Sequence, residues 1–85
     1  MKEIKLFILK NCPYCKAVLQ YQKELFAENP AFAEIPLRII EESEEAAYAD
    51  SFDYYFVPTY YIEEEKVHEG AATKEIVKSI FERAL

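Results

Sequence analysis

Residues 4–19 read IKLFILKNCPYCKAVL, and the change of period inside this stretch decides the fold. Ile4, Leu6 and Ile8 fall on one face of an extended segment, while Phe7 and Leu9 make the other face apolar too. That is the pattern of a central strand covered on both sides, and the strand is placed at Lys2 to Leu9. Lys10 and Asn11 form a short loop. Pro13 then suits the first position of a helix, where its missing N–H leaves no bond unmade. The helix runs to Glu28, with Tyr14, Val18, Tyr21 and Leu25 as its apolar stripe and Cys15, Leu19 and Phe26 beside it. Asn29-Pro30 ends it.

Working outward, residues 30–36 lie between two prolines and form a connection with room for one helical turn. Leu37 to Glu41 is a second strand. Ser43, followed by Glu44 and Glu45, reads as the N-cap of a short helix running to about Phe52. A third strand follows Pro58 through Ile62, and Glu63-Glu64-Glu65 makes a charged turn into a return strand, Lys66 to Glu69. Gly70 breaks the pattern. Thr73 caps a last helix whose buried face is Ile76, Val77, Ile80, Phe81 and Leu85. The order is βαβαββα. Two strands joined through a helix should be parallel with a right-handed crossover, and the closing hairpin antiparallel. A four-stranded mixed α/β sheet with helices on both faces follows, and residues 1–85 are expected to form one domain.

Composition bounds the partners. The 85 residues are 52% apolar with one Gly, which excludes collagen-like and low-complexity classes. The apolar run Leu6 to Leu9 is too short to cross a bilayer, and no export leader opens the chain, so a cytoplasmic location is expected. The net charge of −6 disfavours nucleic acid. Charge is unevenly spread: residues 1–23 hold five Lys against one Glu, whereas residues 24–85 hold five basic against fifteen acidic side chains. The basic region surrounds the two cysteines, where it would favour a thiolate or an anionic substrate.

Cys12 and Cys15 are too few for a disulfide-stapled scaffold, and a staple across so short a loop contributes only about 2 kcal/mol. Their position suggests chemistry instead. Cys12 stands where strand gives way to helix, so first-turn N–H groups and the helix dipole face its sulfur and favour the anion. Cys15 follows one turn later in the apolar stripe and should be the more buried. An accessible attacking thiolate beside a sheltered resolving thiol is what thiol–disulfide exchange requires. Zinc takes about four ligands, and this spacing supplies two, with His68 the sole histidine. The alternative is a metal or iron–sulfur cluster held between two subunits by the same cysteines. His68 is expected at an exposed position on the edge hairpin. Tyr54, Tyr55, Tyr60 and Tyr61 are expected to pack rather than stack bases, and Tyr14 to border the site. Glu41 to Glu45 reads as a solvated strand end. Val57-Pro58 opens the third strand; from the residues alone a trans bond is expected, since only about one X–Pro bond in twenty is cis.

With these residues in view, the whole chain resembles the thioredoxin superfamily, and Cys12-Pro13-Tyr14-Cys15 is similar to the active-site sequence of dithiol glutaredoxins. The resemblance implies a thioredoxin fold and thiol–disulfide oxidoreductase activity, with Cys12 as nucleophile and Cys15 as resolving thiol. It also implies a cis Val57–Pro58 bond, with the Val57 backbone pairing with substrate. Lys10, Tyr14, Gly70 and Thr73 fall at positions that would border substrate. No bound cofactor is implied; glutathione is a possible co-substrate, and either glutathione or a flavoprotein disulfide reductase would regenerate a monomeric enzyme acting on protein disulfides or glutathione mixed disulfides. The chain departs from the glutaredoxin pattern in three places. Phe56 stands where Thr usually precedes Val-Pro. Gly70-Ala71-Ala72-Thr73 replaces a Gly-Gly pair with a following Asp. Lys10 lies two residues before Cys12 instead of three. These departures favour protein disulfides over glutathione.

Overall fold

In a computed structural model describing all 85 residues, the elements follow the expected order. They are β1 (Ile4–Ile8), α1 (Pro13–Glu28), a 3-10 turn (Pro30–Glu34), β2 (Leu37–Glu41), α2 (Ala46–Asp50), β3 (Thr59–Ile62), β4 (Glu65–Glu69) and α3 (Lys74–Ala84). The sheet order is β2-β1-β3-β4, with β1 parallel to β2 and antiparallel to β3, and β3 antiparallel to β4. β1 is therefore central, as its two apolar faces require.

Register sorts the side chains into two layers. Leu6 pairs with Tyr60 and Ile4 with Ile62, so these four share one face. They pack against Val18 and Leu25 of α1 and Val77, Ile80, Phe81 and Ala84 of α3. Phe7 points the other way, into a smaller cluster with Ile40, Ala49 and Tyr61. That cluster is aromatic: the Phe7 ring centroid lies 4.9 Å from Phe52, 4.8 Å from Tyr54 and 5.7 Å from Tyr61. Each such pair adds roughly 0.5–1.5 kcal/mol beyond area burial. This compensates for the shortness of α2, which has one buried residue to offer.

Several expectations are corrected. Ser43 is not a helix cap. Its N–H and hydroxyl both donate to the Glu41 carboxylate, at 2.7 Å and 2.7–2.8 Å, forming a turn, and α2 begins only at Ala46 without a side-chain cap. The buried side of α1 is rotated from the expected stripe: Cys15, Val18, Gln22 and Leu25 are buried, while Tyr14 is exposed. Gln22 is tolerated there because its side-chain oxygen accepts from the buried Tyr60 hydroxyl. Leu9 lies beyond β1 and is exposed, and so is Leu85; Ala84 takes the buried place at the end of α3. No helix is long and apolar enough to cross a membrane.

Candidate active site

β1 ends at Ile8, and the chain must turn sharply to enter α1. Asn11 makes the turn with φ of 63°, a left-handed conformation that Asn adopts more readily than most residues. Cys12 follows in extended backbone, φ −95° and ψ 113°, as the N-cap of α1, with Pro13 at the first helical position. Its carbonyl accepts from Lys16 N–H at 3.0 Å, and its Sγ accepts from the Cys15 N–H at 3.2 Å. The sulfur thus takes the place of the hydroxyl or carboxylate that ordinarily caps a helix.

Both cysteines are free thiols, Cys12 half-buried and Cys15 only 1% exposed. Burial pushes the Cys15 thiol from 9.0 up to about 12, with a further push from its hydrogen bond to Cys12 and the charges of Cys12 and Glu42, offset in part by the Leu9 backbone. Desolvation disfavours the anion, so Cys15 holds its proton at neutral pH.

Across the site the Val57–Pro58 bond is cis, and the Val57 carbonyl oxygen lies 4.0 Å from Cys12 Sγ. Pro58 is fully buried. The surrounding loop is held from several sides. The Thr59 hydroxyl donates to the Phe56 carbonyl, Gly70 N–H donates to the Pro58 carbonyl at 2.8 Å, and the Tyr61 hydroxyl donates to Asp53 O at 2.9 Å. One Glu69 carboxylate oxygen accepts from both Tyr55 N–H, at 2.6 Å, and Phe56 N–H, at 2.9 Å. Glu69 was not singled out in the sequence, where it is one acid among sixteen.

The structure brings Cys12, Cys15 and Val57 together. Lys10 joins Cys15 at a hollow of about 380 Å³ that is also lined by Ile8, Leu9, Lys16 and Leu19. Two hollows of greater volume lie by the β3–β4 turn and beside α1 and α3, lined mostly by charged side chains and by neither cysteine. The expected basic field is weaker than its lysine count. Lys10 pairs with Glu44, and Lys5 is buried against Glu3, at 3.0 Å, and the Glu63 carbonyl, at 2.9 Å. Lys16 remains exposed beside the cysteines. Gly70 sits at φ +92°, a conformation open to glycine, and links β4 to Pro58 rather than presenting a side chain. Thr73 spends its hydroxyl on Ile76 N–H at 3.1 Å as the cap of α3. Tyr14 is 62% exposed on the first turn of α1. His68 is half-buried, a correction to the exposed position expected, with Nε2 2.8 Å from the Ala71 carbonyl. No three His, Cys, Asp or Glu side chains converge as a metal-binding group.

Comparison with known proteins agrees with this fold. The solution structure of an uncharacterised thioredoxin-like protein from Clostridium perfringens superposes with a TM-score of 0.70 at 22% identity, over 99% of this chain and 71% of that one. The reduced thioredoxin pre-protein of Schistosoma mansoni gives 0.61 at 19% identity, over 98% and 78%. These likenesses concern the fold. No curated protein matches the sequence. The family model for the thioredoxin domain matches residues 2–82, and a close cysteine pair on this fold supports a thioredoxin-family redox role. The chain belongs to the thioredoxin-domain family.

Proposed function

We propose that this protein is a dithiol oxidoreductase that reduces protein disulfides through Cys12 and Cys15. The observation that carries the proposal is the 3.2 Å bond from Cys15 N–H to Cys12 Sγ, with the Cys15 thiol buried behind it. A helix-start N–H aimed at sulfur stabilises the attacking thiolate and again stabilises it as a leaving group.

The steps balance as follows. Cys12 thiolate attacks one sulfur of a substrate disulfide, forming a mixed disulfide and expelling the other substrate sulfur as a thiolate, which takes a proton from solvent. Cys15 then attacks Cys12 Sγ, its proton passing through solvent to the departing substrate sulfur. This forms the Cys12–Cys15 disulfide and releases the second substrate thiol. Two electrons pass to the substrate and the protein dithiol is oxidised. Formation of the mixed disulfide removes the negative charge of Cys12, which eases deprotonation of Cys15 at the moment it is needed. No bound cofactor takes part. Glutathione or a flavoprotein disulfide reductase restores the dithiol, and a monomer in a reducing, cytoplasmic compartment suits this role.

Protein disulfides are favoured over glutathione mixed disulfides because Lys10 is engaged by Glu44 and Thr73 by the α3 cap. Replacing Cys15 by serine tests both points. Cys15→Ser should accumulate as a covalent adduct with a protein disulfide such as insulin, seen by mass and on non-reducing gels. It should lose multiple turnover. Robust glutathione-dependent turnover by Cys15→Ser would place glutathione mixed disulfides first. Cys12→Ser should lose both activities.

A further inference from the structure

We infer that Glu69 is a positioning residue that fixes the Tyr55–Phe56–Val57 backbone opposite Cys12, and so sets how a polypeptide disulfide is seated. The inference rests on the proposed exchange reaction for its kinetic consequence. It rests on geometry alone for the clamp itself. Glu69 is the last residue of β4, thirteen residues beyond Phe56 in the chain. Its Oε2 accepts two consecutive backbone N–H groups, and its Oε1 meets Lys66 Nζ at 2.8 Å, which orients the carboxylate. Lys66 and the two N–H groups hold the Glu69 carboxyl down at about 2, so it stays an anion throughout the working range. Bonds from N–H to a carboxylate are about twice as strong as neutral ones.

The segment needs such a tie. Tyr55 is 88% exposed and Phe56 69% exposed, so their side chains do little to anchor it, whereas the next residue carries the carbonyl that faces Cys12 Sγ. Tyr14, on the first turn of α1 between the two cysteines in the chain, is likewise exposed. A carboxylate that fixes the Tyr55–Phe56 backbone holds the adjoining Val57 carbonyl opposite Cys12, where an extended chain carrying a disulfide would lie along it. A small disulfide has no extended backbone to lie along this segment. The clamp therefore contributes selectively to polypeptide substrates.

The variants are Glu69→Ala, which removes the acceptor, and Glu69→Gln, which keeps one oxygen able to accept both N–H groups. With dithiothreitol as reductant, Glu69→Ala should raise KM for insulin about tenfold with kcat within about twofold, because the backbone that seats the chain loses both bonds that order it before binding. Its kcat/KM for cystine should stay within about twofold, and Glu69→Gln should recover most of the insulin KM. Amide hydrogen exchange gives a reading independent of activity. Tyr55 and Phe56 N–H should be protected in the wild type, partly protected in Glu69→Gln and unprotected in Glu69→Ala, with protection of β1 and β3 unchanged. Equal loss on insulin and cystine, unchanged insulin KM, or unaltered protection of the two amides would overturn the inference. Absence of turnover by the wild type would refute the exchange reaction itself, and the exchange data would still decide the clamp.

Discussion

Replacing Cys15 by alanine should abolish a specific alkaline loss of stability. In the folded protein burial, followed by the contact with Cys12, raises the Cys15 thiol from 9.0 to about 12, whereas the unfolded chain returns it to the ordinary value. Below that ordinary value both states hold the proton and Cys15 adds no pH dependence. Between the two values the unfolded state sheds the proton and the folded state does not, so rising pH favours unfolding. The slope is about 1.4 kcal/mol per pH unit, reaching about 2 kcal/mol at pH ~10.5 and about 4 kcal/mol once the folded thiol titrates. Tyr54 and Tyr60, also held above their ordinary range by burial, contribute in the same direction in both proteins, so the difference removes most of their share, leaving the thiol and its charge on Tyr60. Urea unfolding of reduced wild type and Cys15→Ala from about pH 8 to pH 10.5 measures that difference. The stability of wild type relative to variant should be constant up to about pH 9 and then fall along this slope. A constant difference throughout would mean that Cys15 ionises as an exposed thiol does, and the division of labour between the two cysteines would fail with it.

Other outcomes follow from particular contacts. Tyr60→Phe strands the buried Gln22 amide and should cost about 1–3 kcal/mol, while adding Gln22→Leu should restore part of it; chemical denaturation of the two single variants and the double variant forms the cycle. Gly70→Ala meets no atom within 4 Å, so its cost should come from the backbone alone, about 1–2 kcal/mol, read from the shift in denaturation midpoint. Phe7→Ala removes the centre of the aromatic cluster and should cost about 3–5 kcal/mol, observable as a fall in Tm; a loss under about 1 kcal/mol would mean the second layer is not a packed core.

What the sequence determined by itself was local. Apolar residues on both faces placed β1 at the sheet centre, Pro13 opened α1 at its first position, Thr73 capped α3, and the short acidic turn closed an antiparallel hairpin, because each depends on side-chain pattern, backbone sterics and hydrogen bonds between neighbours in the chain. The cysteine pair was legible for the same reason: its spacing and its place after a strand fix one thiol at the helix mouth and the other a turn inside. Tertiary structure decided the rest. Ser43 has a capping residue's chemistry, but its hydroxyl donates to the Glu41 carboxylate, and the Glu44 and Glu45 N–H groups go to the Glu41 carbonyl instead. The buried side of α1 turned to include Gln22 because Tyr60, thirty-eight positions along, brought a hydroxyl needing a partner. Lys10, thirty-four positions from Glu44, lost its free charge to it, and Glu69 found two backbone N–H groups on a loop whose approach no periodicity encodes. Patterns of period two or 3.6 specify which face of an element is apolar. Which polar groups meet across elements depends on how the layers pack, because buried donors and acceptors must find partners in whatever surroundings that packing creates.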